Sequence, residues 1–477
     1  MTPVCPAPTA TDTAASAHDR RRVLFVSYHF PPVGGAGVQR PVKFVKYLPG
    51  WGWQPSVLTA ANPSAPVFDD SLCTDLPPDL VIARARTCEP GYRVKQQLAA
   101  VPAGGRAPRG PRAALRHCMR AAAGLLLQPD PQVLWLPTAY RAGCQLLSRL
   151  PHEVILATAP SYSNLILGTW LKLRTGLPLV VDFRDEWDLS SQYLENSRRD
   201  RFSHAVQERM QRWVLRHADA ILATTAASAR RLQDRARAAG STAEAQCIYN
   251  GFDEVDFQRP HGVERARLAR QAAEEPPRFR LVYTGTLWNL TSAAPLAAAV
   301  ELLRRESPET LARLELVLVG RKTDAQREVV QEITRSGCRV HDADYCDHDQ
   351  AIDLMQSADG LCLLLSDVPG ADRVAPAKLF EYLAAGRPLL AVTPAGETAD
   401  IVRRFFPAGH YLPGDAAGIA RWLRAQVAQW VPGERTTCGG RPPAQVEQFS
   451  RRRQAGELAA LLDELTPVPV VPDAGWV

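Results

Sequence analysis

Ser27–Pro41 reads SYHFPPVGGAGVQRP and follows the first apolar run of the chain, RVLFVS. Gly34, Gly35 and Gly37 stand between a proline pair and a helical pattern that starts near Val38. A strand that passes through a glycine turn into a helix is the opening unit of a doubly wound α/β domain. Glycine lets the backbone approach a ligand closely and take up positive φ, and the free N–H groups of a helix start suit an anion. The same glycines also suit a plain mobile corner. A dinucleotide turn fails on three counts. Arg40 stands where the third glycine of G-x-G-x-x-G belongs, Pro31 and Pro32 separate strand from loop, and the next strand ends at Ala60, Ala61 and Asn62 without a carboxylate for a ribose.

Working outward, short apolar runs alternate with helical patterns. Strands are predicted at Val23–Ser27, Ser56–Thr59, Leu80–Ala83, Val154–Ala157, Leu179–Phe183, Ala220–Thr224 and Gln246–Tyr249, with helices such as Val38–Leu48, Ser163–Thr175 and Arg199–Arg216 between them. The charged stretch HGVERARLARQAAEEPPR interrupts this series. A second series follows, with strands at Phe279–Tyr283, Leu314–Val319, Gly360–Leu364 and Leu389–Val392 and helices at Asp324–Ser336, Asp349–Ser357 and Pro376–Ala385. The predicted architecture is two tandem Rossmann-like, doubly wound α/β domains with a cleft between the carboxyl ends of their sheets. The expected boundaries are an unstructured tail over 1–20, a first domain over 21–258, a second over 275–432, and a C-terminal helix over 441–466 that packs back toward the first.

A chain of 477 residues exceeds one ordinary core, and 46% hydrophobic with 22% charged residues describes a globular protein. The net charge of +6 is mild and the signs are evenly mixed, so nucleic acid is not expected as a partner. Ten cysteines without a CxxC pair predict free thiols in a reducing, cytoplasmic compartment and no zinc site. The N-terminal residues lack the apolar core of a signal peptide, and no run reaches the roughly 18 apolar residues of a membrane helix.

The stretch VLFVSYHFPPVGGAGVQRPVKFVKYLPGWGWQPSVLT resembles the opening of the retaining, GT-B-fold glycosyltransferases of family four, in the branch that carries FPP and GGAG. The likeness continues through PDPQVLWLP, ATAPSYSNLILGTWLKLRTGLPLVVDFRDEW, YNGFD, VYTGTL and PAKLFEYLAAGRPLLAV, in order, from Arg22 to about Val392. The resemblance implies that a nucleotide-sugar donor binds the second domain and a saccharide or lipid-linked acceptor the first, without cofactor or metal. It also implies retention of configuration, with the leaving phosphate taking the acceptor's proton. By the same resemblance Gly35, Ala36 and Gly37 lie beside the donor's diphosphate and sugar. Cell-surface polysaccharide synthesis at the inner face of the membrane is the expected setting. A nucleotide-sugar 2-epimerase of the same fold, separable by its product without acceptor, is the alternative enzyme. A degenerate glycosyltransferase acting as a binding partner is the non-enzymatic one.

In the second domain, VAPAKLFEYLAAGRP reads as a helix with Pro376 at its first position and Gly386 at its C-terminal cap. Lys378 and Leu379 then fall in the first turn, where unpaired N–H groups point outward, and Glu381 lies on the same face as Lys378. One reading is an exposed Lys–Glu pair. The other places a diphosphate on Lys378 and the helix start. By resemblance Glu381 matches the ribose-binding second glutamate of the family's Glu-x7-Glu motif. The first glutamate is replaced by Arg373, with Asp367 and Asp372 nearby as substitutes. The family's Gly-Arg and Lys after the first strand are also missing. Thr284, Gly285 and Thr286 stand there instead, leaving Lys378, Arg373, Arg321 or Arg184 to balance the leaving diphosphate.

In the first domain VVDFRDEW puts Asp182, Arg184 and Asp185 at a strand's carboxyl end, where open α/β sheets bind ligands. An Arg–Asp pair tying the strand to the following helix is the structural alternative. Asp185 stands where a carboxylate can orient an acceptor hydroxyl, and by resemblance Arg184 replaces a sugar-touching histidine. Ser161 and Ser163 read first as helix N-caps. Asp342 and Asp344 of HDADY form a literal D-x-D, read as a surface loop rather than a metal pair, and Asp347 with Gln350 as a capping box. His29, His341 and His348 show no ligand spacing. The basic run Arg106–Arg120, ending in Leu125–Leu127, reads as a solvated amphipathic helix or as a peripheral contact with anionic lipid.

Overall fold

The computed structural model describes residues 21–92, 127–189, 201–258, 276–432 and 444–467. Seven parallel strands form the first sheet: β1 (Arg21–Val26), β2 (Trp53–Ala60), β3 (Val81–Ala85), β4 (Val154–Ala159), β5 (Leu179–Phe183), β6 (Ala220–Ala223) and β7 (Glu244–Cys247), in the order β3-β2-β1-β4-β5-β6-β7. Six parallel strands form the second: β8 (Phe279–Thr284), β9 (Leu314–Val319), β10 (Arg339–Ala343), β11 (Gly360–Leu364), β12 (Leu389–Val392) and β13 (His410–Tyr411), in the order β10-β9-β8-β11-β12-β13. Each order reverses beside its first strand, between β1 and β4 and between β8 and β11. Ligands of doubly wound sheets bind outside the strand ends at such switch points. The fold is GT-B.

Strand alternation explains why both faces of each sheet are covered. Leu24 and Val26 of β1 enter one cluster with the helices Leu136–Arg149 and Ser163–Thr175, while Val23 and Phe25 enter another with the helix Ala36–Tyr47. That second cluster also takes Ala455, Leu458 and Leu462 of the C-terminal helix Arg451–Leu465. Just before this helix, Val446 and Phe449 pack into the second domain with Phe380 and Leu383. The segment from Ala444 to Leu465 therefore leaves one core and ends in the other.

Several expectations need correction. Asp342 is not in a loop: it lies on edge strand β10, which the charged HDAD pattern concealed, and pairs with Lys322 at 2.6 Å. Asp344 follows that strand and sits near Arg327. Neither Ser161 nor Ser163 caps a helix with its side chain. The helix Ser163–Thr175 is capped from outside by fully buried Asp130, which accepts from Ser163 N at 3.1 Å and Ser163 Oγ at 2.5 Å. Pro376 precedes its helix, Ala377–Ala385, instead of opening it. Gly386 closes that helix at φ 63°, as the cap signal predicts. Asp347 does cap its helix, accepting from Gln350 N at 2.8 Å. The basic run Arg106–Arg120, with Leu125 and Leu126, lies outside the described residues, and among those described no helix is long and apolar enough to cross a membrane.

Candidate functional site

The two switch points face one another across a cavity of about 250 Å³. From the first domain it is lined by Gly37, Arg184, Asp185 and Thr224, and from the second by Trp288, Arg373 and the helix start at Pro376–Ala377. Gly35 sits at φ 100° immediately before the helix Ala36–Tyr47, a conformation that favours glycine. Gly37 is within the first turn and needs no positive φ, which corrects the expectation for that residue. Its missing side chain leaves the helix start open to the cavity, with only Arg184 Nη1 close, 3.6 Å from where a Cβ would stand.

Arg184, just past β5, is fixed by the end of the neighbouring strand β4. Its Nε donates to the Ala159 carbonyl at 2.9 Å and its Nη2 to the Pro160 carbonyl, while Nη1 is buried with no hydrogen-bond partner. Burial disfavours its charge, and Asp182 and Asp185 counteract this. Asp182 does not pair with Arg184. It is buried in a fork with Arg40, 3.0 to 3.2 Å, and also accepts from Thr158. Asp185 is exposed at the cleft.

On the opposite wall Lys378 bends under the loop after β8. Its Nζ donates to Tyr283 Oη at 2.8 Å and lies 4.0 Å from the Tyr283 ring centre. Enclosure there pushes its ammonium down to about 7. Gly285, at φ 128°, leaves room for this group, since a Cβ would come within 2.4 Å of Nζ. Thr286 is exposed beside it, whereas Thr284 is buried with its hydroxyl on Tyr382 Oη at 3.1 Å. The Leu379 side chain is in the core and its N–H bonds the Pro376 carbonyl at 3.0 Å.

No Lys378–Glu381 ion pair forms among the described residues. Glu381 turns to the interior between the domains, where burial raises its carboxyl and the charges of His348 and Arg451 oppose that rise. Arg321 stands apart from the cavity lining and donates to Tyr92 Oη at 2.8 Å. Arg373 forms a cross-domain fork with Glu186, 2.8 and 2.9 Å. The structure thus gathers Gly37, Arg184, Asp185 and Arg373 on one cavity, puts Lys378 and Gly285 together beside it, and separates Glu381, Leu379 and Arg321 from its lining.

Sequence reading missed Glu186, Trp288 and Asn250 as parts of this site. Glu186 stands in the quoted DFRDEW and Asn250 in YNGFD, so the segments were legible although these side chains were not singled out. Also unforeseen is Glu397, which caps the helix Ala226–Ala238 from the other domain, at 3.3 Å to Ala226 N and 3.2 Å to Ala227 N. Asp75, Asp253 and Asp256 converge closely enough to hold a cation. Lys43 Nζ occupies their centre, at 2.5, 2.7 and 2.9 Å, so a lysine ammonium satisfies the charge that a metal would.

Residues 34–251 match the model of a glycosyl transferase 4-like domain. No curated protein matches the sequence. Among solved structures, HepE of Anabaena, in complex with UDP and glucose, is 18% identical, with a TM-score of 0.55 over 93% of this chain and 100% of that one. Sucrose-phosphate synthase of Thermosynechococcus elongatus is 15% identical, TM-score 0.61, over 94% and 99%. The α,α-trehalose 6-phosphate synthase of Burkholderia multivorans is 14% identical, TM-score 0.59, over 94% and 97%. At these identities the likeness is one of fold.

Proposed function

From the match of residues 34–251 to the model of a glycosyl transferase 4-like domain, we propose that the protein is a nucleotide-sugar-dependent glycosyltransferase. The observation that carries the reading is the cavity in which the helix start at Pro376–Ala377 meets the glycine-led helix and Arg184 of the first domain. The second domain (275–432) takes the donor. Its diphosphate lies on the open N–H groups of the helix start and on Lys378, with Gly285 and Thr286 beside it. These groups stabilise the charge that develops on the leaving phosphate. The first domain (21–258) takes the acceptor, with Asp185 orienting its hydroxyl, and the helix within 441–466 ties the two together.

Transfer proceeds with retention and without a metal, on a saccharide or lipid-linked acceptor in cell-surface polysaccharide synthesis. It takes place in the cytoplasm at the inner membrane face, where peripheral contact with anionic lipid brings enzyme and acceptor together. Glu381 is assigned to the ribose. Glu381→Gln should then weaken nucleoside diphosphate binding roughly 10- to 100-fold, and equal affinities would remove that assignment.

The deciding experiment screens nucleotide sugars for protection against thermal unfolding, then follows the protecting donor with and without acceptors. Transfer to an acceptor supports the reading; its complete absence, with donor bound, overturns it. Arg373 favours a second reading, because it is ion-paired with Glu186 instead of offering a carboxylate to the sugar. That reading is a nucleotide-sugar-binding protein without transfer, and the same experiment separates the two.

A further inference from the structure

Arg184 has an unused edge. Two of its nitrogens are bound to the Ala159 and Pro160 carbonyls, which fixes the plane of the guanidinium, and Nη1 is buried without a partner beside Gly37. A buried donor left unsatisfied costs free energy, the more so on a charged group. The carboxylates around it are committed elsewhere. Asp182 serves Arg40, and Glu186 serves Arg373, Ser228 and Arg231. Asp185, although adjacent in sequence, makes no ion pair with it among the described residues. Arg184 lines the cavity, so its fixed guanidinium offers a preset donor edge beside it, and oxyanions are what a guanidinium edge binds best. It hangs from the first-domain wall, opposite the helix start and Lys378, which already provide for a diphosphate.

We propose that Arg184 binds a second anionic group of the ligand, a carboxylate or phosphate ester borne by the sugar end of the cleft. The substrate class is accordingly an acidic sugar nucleotide or a phosphorylated acceptor. This rests on the glycosyltransferase reading above and narrows it.

Calorimetric titration of the full chain and of Arg184→Gln tests it in three arms. The first uses UDP and GDP alone. The second compares UDP-glucose with UDP-glucuronate and GDP-mannose with GDP-mannuronate. The third compares glucose 6-phosphate with glucose on protein saturated with the nucleoside diphosphate that binds. The wild-type chain should prefer the acidic member of a pair at least roughly tenfold in the second arm or the third, which identifies the source of the charge. Arg184→Gln should abolish that preference and change nucleoside diphosphate affinity less than about twofold. Equal binding of acidic and neutral members by the wild type overturns the proposal without use of the variant. So does a loss of UDP or GDP affinity in a folded Arg184→Gln protein, which would put the residue on the diphosphate. If no nucleotide or sugar nucleotide binds at all, the glycosyltransferase reading falls first and this inference falls with it.

Discussion

Arg373 of the second domain holds both carboxylate oxygens of Glu186 of the first, Nε to Oε1 at 2.8 Å and Nη2 to Oε2 at 2.9 Å. Glu186 is almost fully buried, and the Arg373 carbonyl accepts from Thr225 Oγ1 at 2.8 Å, so side chain and backbone both cross the cleft. The resemblance expects a glutamate where Arg373 stands. Here the arginine ties the two walls of the cleft, and the carboxylate comes from the facing wall.

Arg373→Ala should therefore act mainly on closure. Glu186 keeps Ser228 and Arg231, so global stability should fall by only about 1–3 kcal/mol. The radius of gyration from X-ray scattering should rise. A double-mutant cycle with Glu186→Gln should give a coupling of about 0.5–3 kcal/mol, and additivity would show that the pair does not latch the domains.

Lys378 predicts opposite pH trends for the free protein and for the complex. Its folded value of about 7 lies below the ordinary lysine value of about 10.4, so between the two the unfolded chain binds more protons. This group alone makes the unliganded protein more stable as pH rises through that window. A bound diphosphate favours the charged form, so affinity for it should fall above pH 7, by up to about tenfold per unit. Lys378→Met should bind weakly and show a flat profile; a flat wild-type profile would place the diphosphate elsewhere.

Gly35 and Gly37 should respond differently to substitution. Gly35→Ala forces a β-carbon onto φ 100° and should cost about 1–2 kcal/mol in thermal or chemical unfolding. Gly37→Val should leave the fold largely intact while filling the open helix start beside Arg184, abolishing donor binding. Normal turnover of Gly37→Val would make the loop a corner and nothing more.

His348 ties the second domain to buried Asp256, Nε2 to Oδ2 at 3.0 Å. Burial lowers its basicity, but Asp256 and Glu381 outweigh this and hold it above the ordinary value. Its contribution is then complete below pH of about 6.5 and is lost as pH rises through the raised folded value. The wild-type melting temperature should lose ground to that of His348→Gln between pH 6 and pH 8. Parallel curves would show that the imidazole does not report on the interface.

Much of this was legible in the sequence because it depends on local order. Short apolar runs buried on both faces, helices between them and the break near His261 specify two doubly wound sheets through hydrophobic periodicity alone. Chain order then puts the segments of Gly35, Arg184, Gly285 and Lys378 at strand ends facing a cleft. What periodicity cannot express is which charge meets which. Asp182 chooses Arg40 over its neighbour Arg184, Lys378 chooses the Tyr283 ring over Glu381, and Arg373 chooses Glu186, 187 positions away. These choices are made by burial, which makes a pairing worth its desolvation only where geometry is complete. For Asp182 and Lys378 that geometry exists only once strands and helices of one domain have packed, and for Arg373 and Glu186 only once the two domains have met.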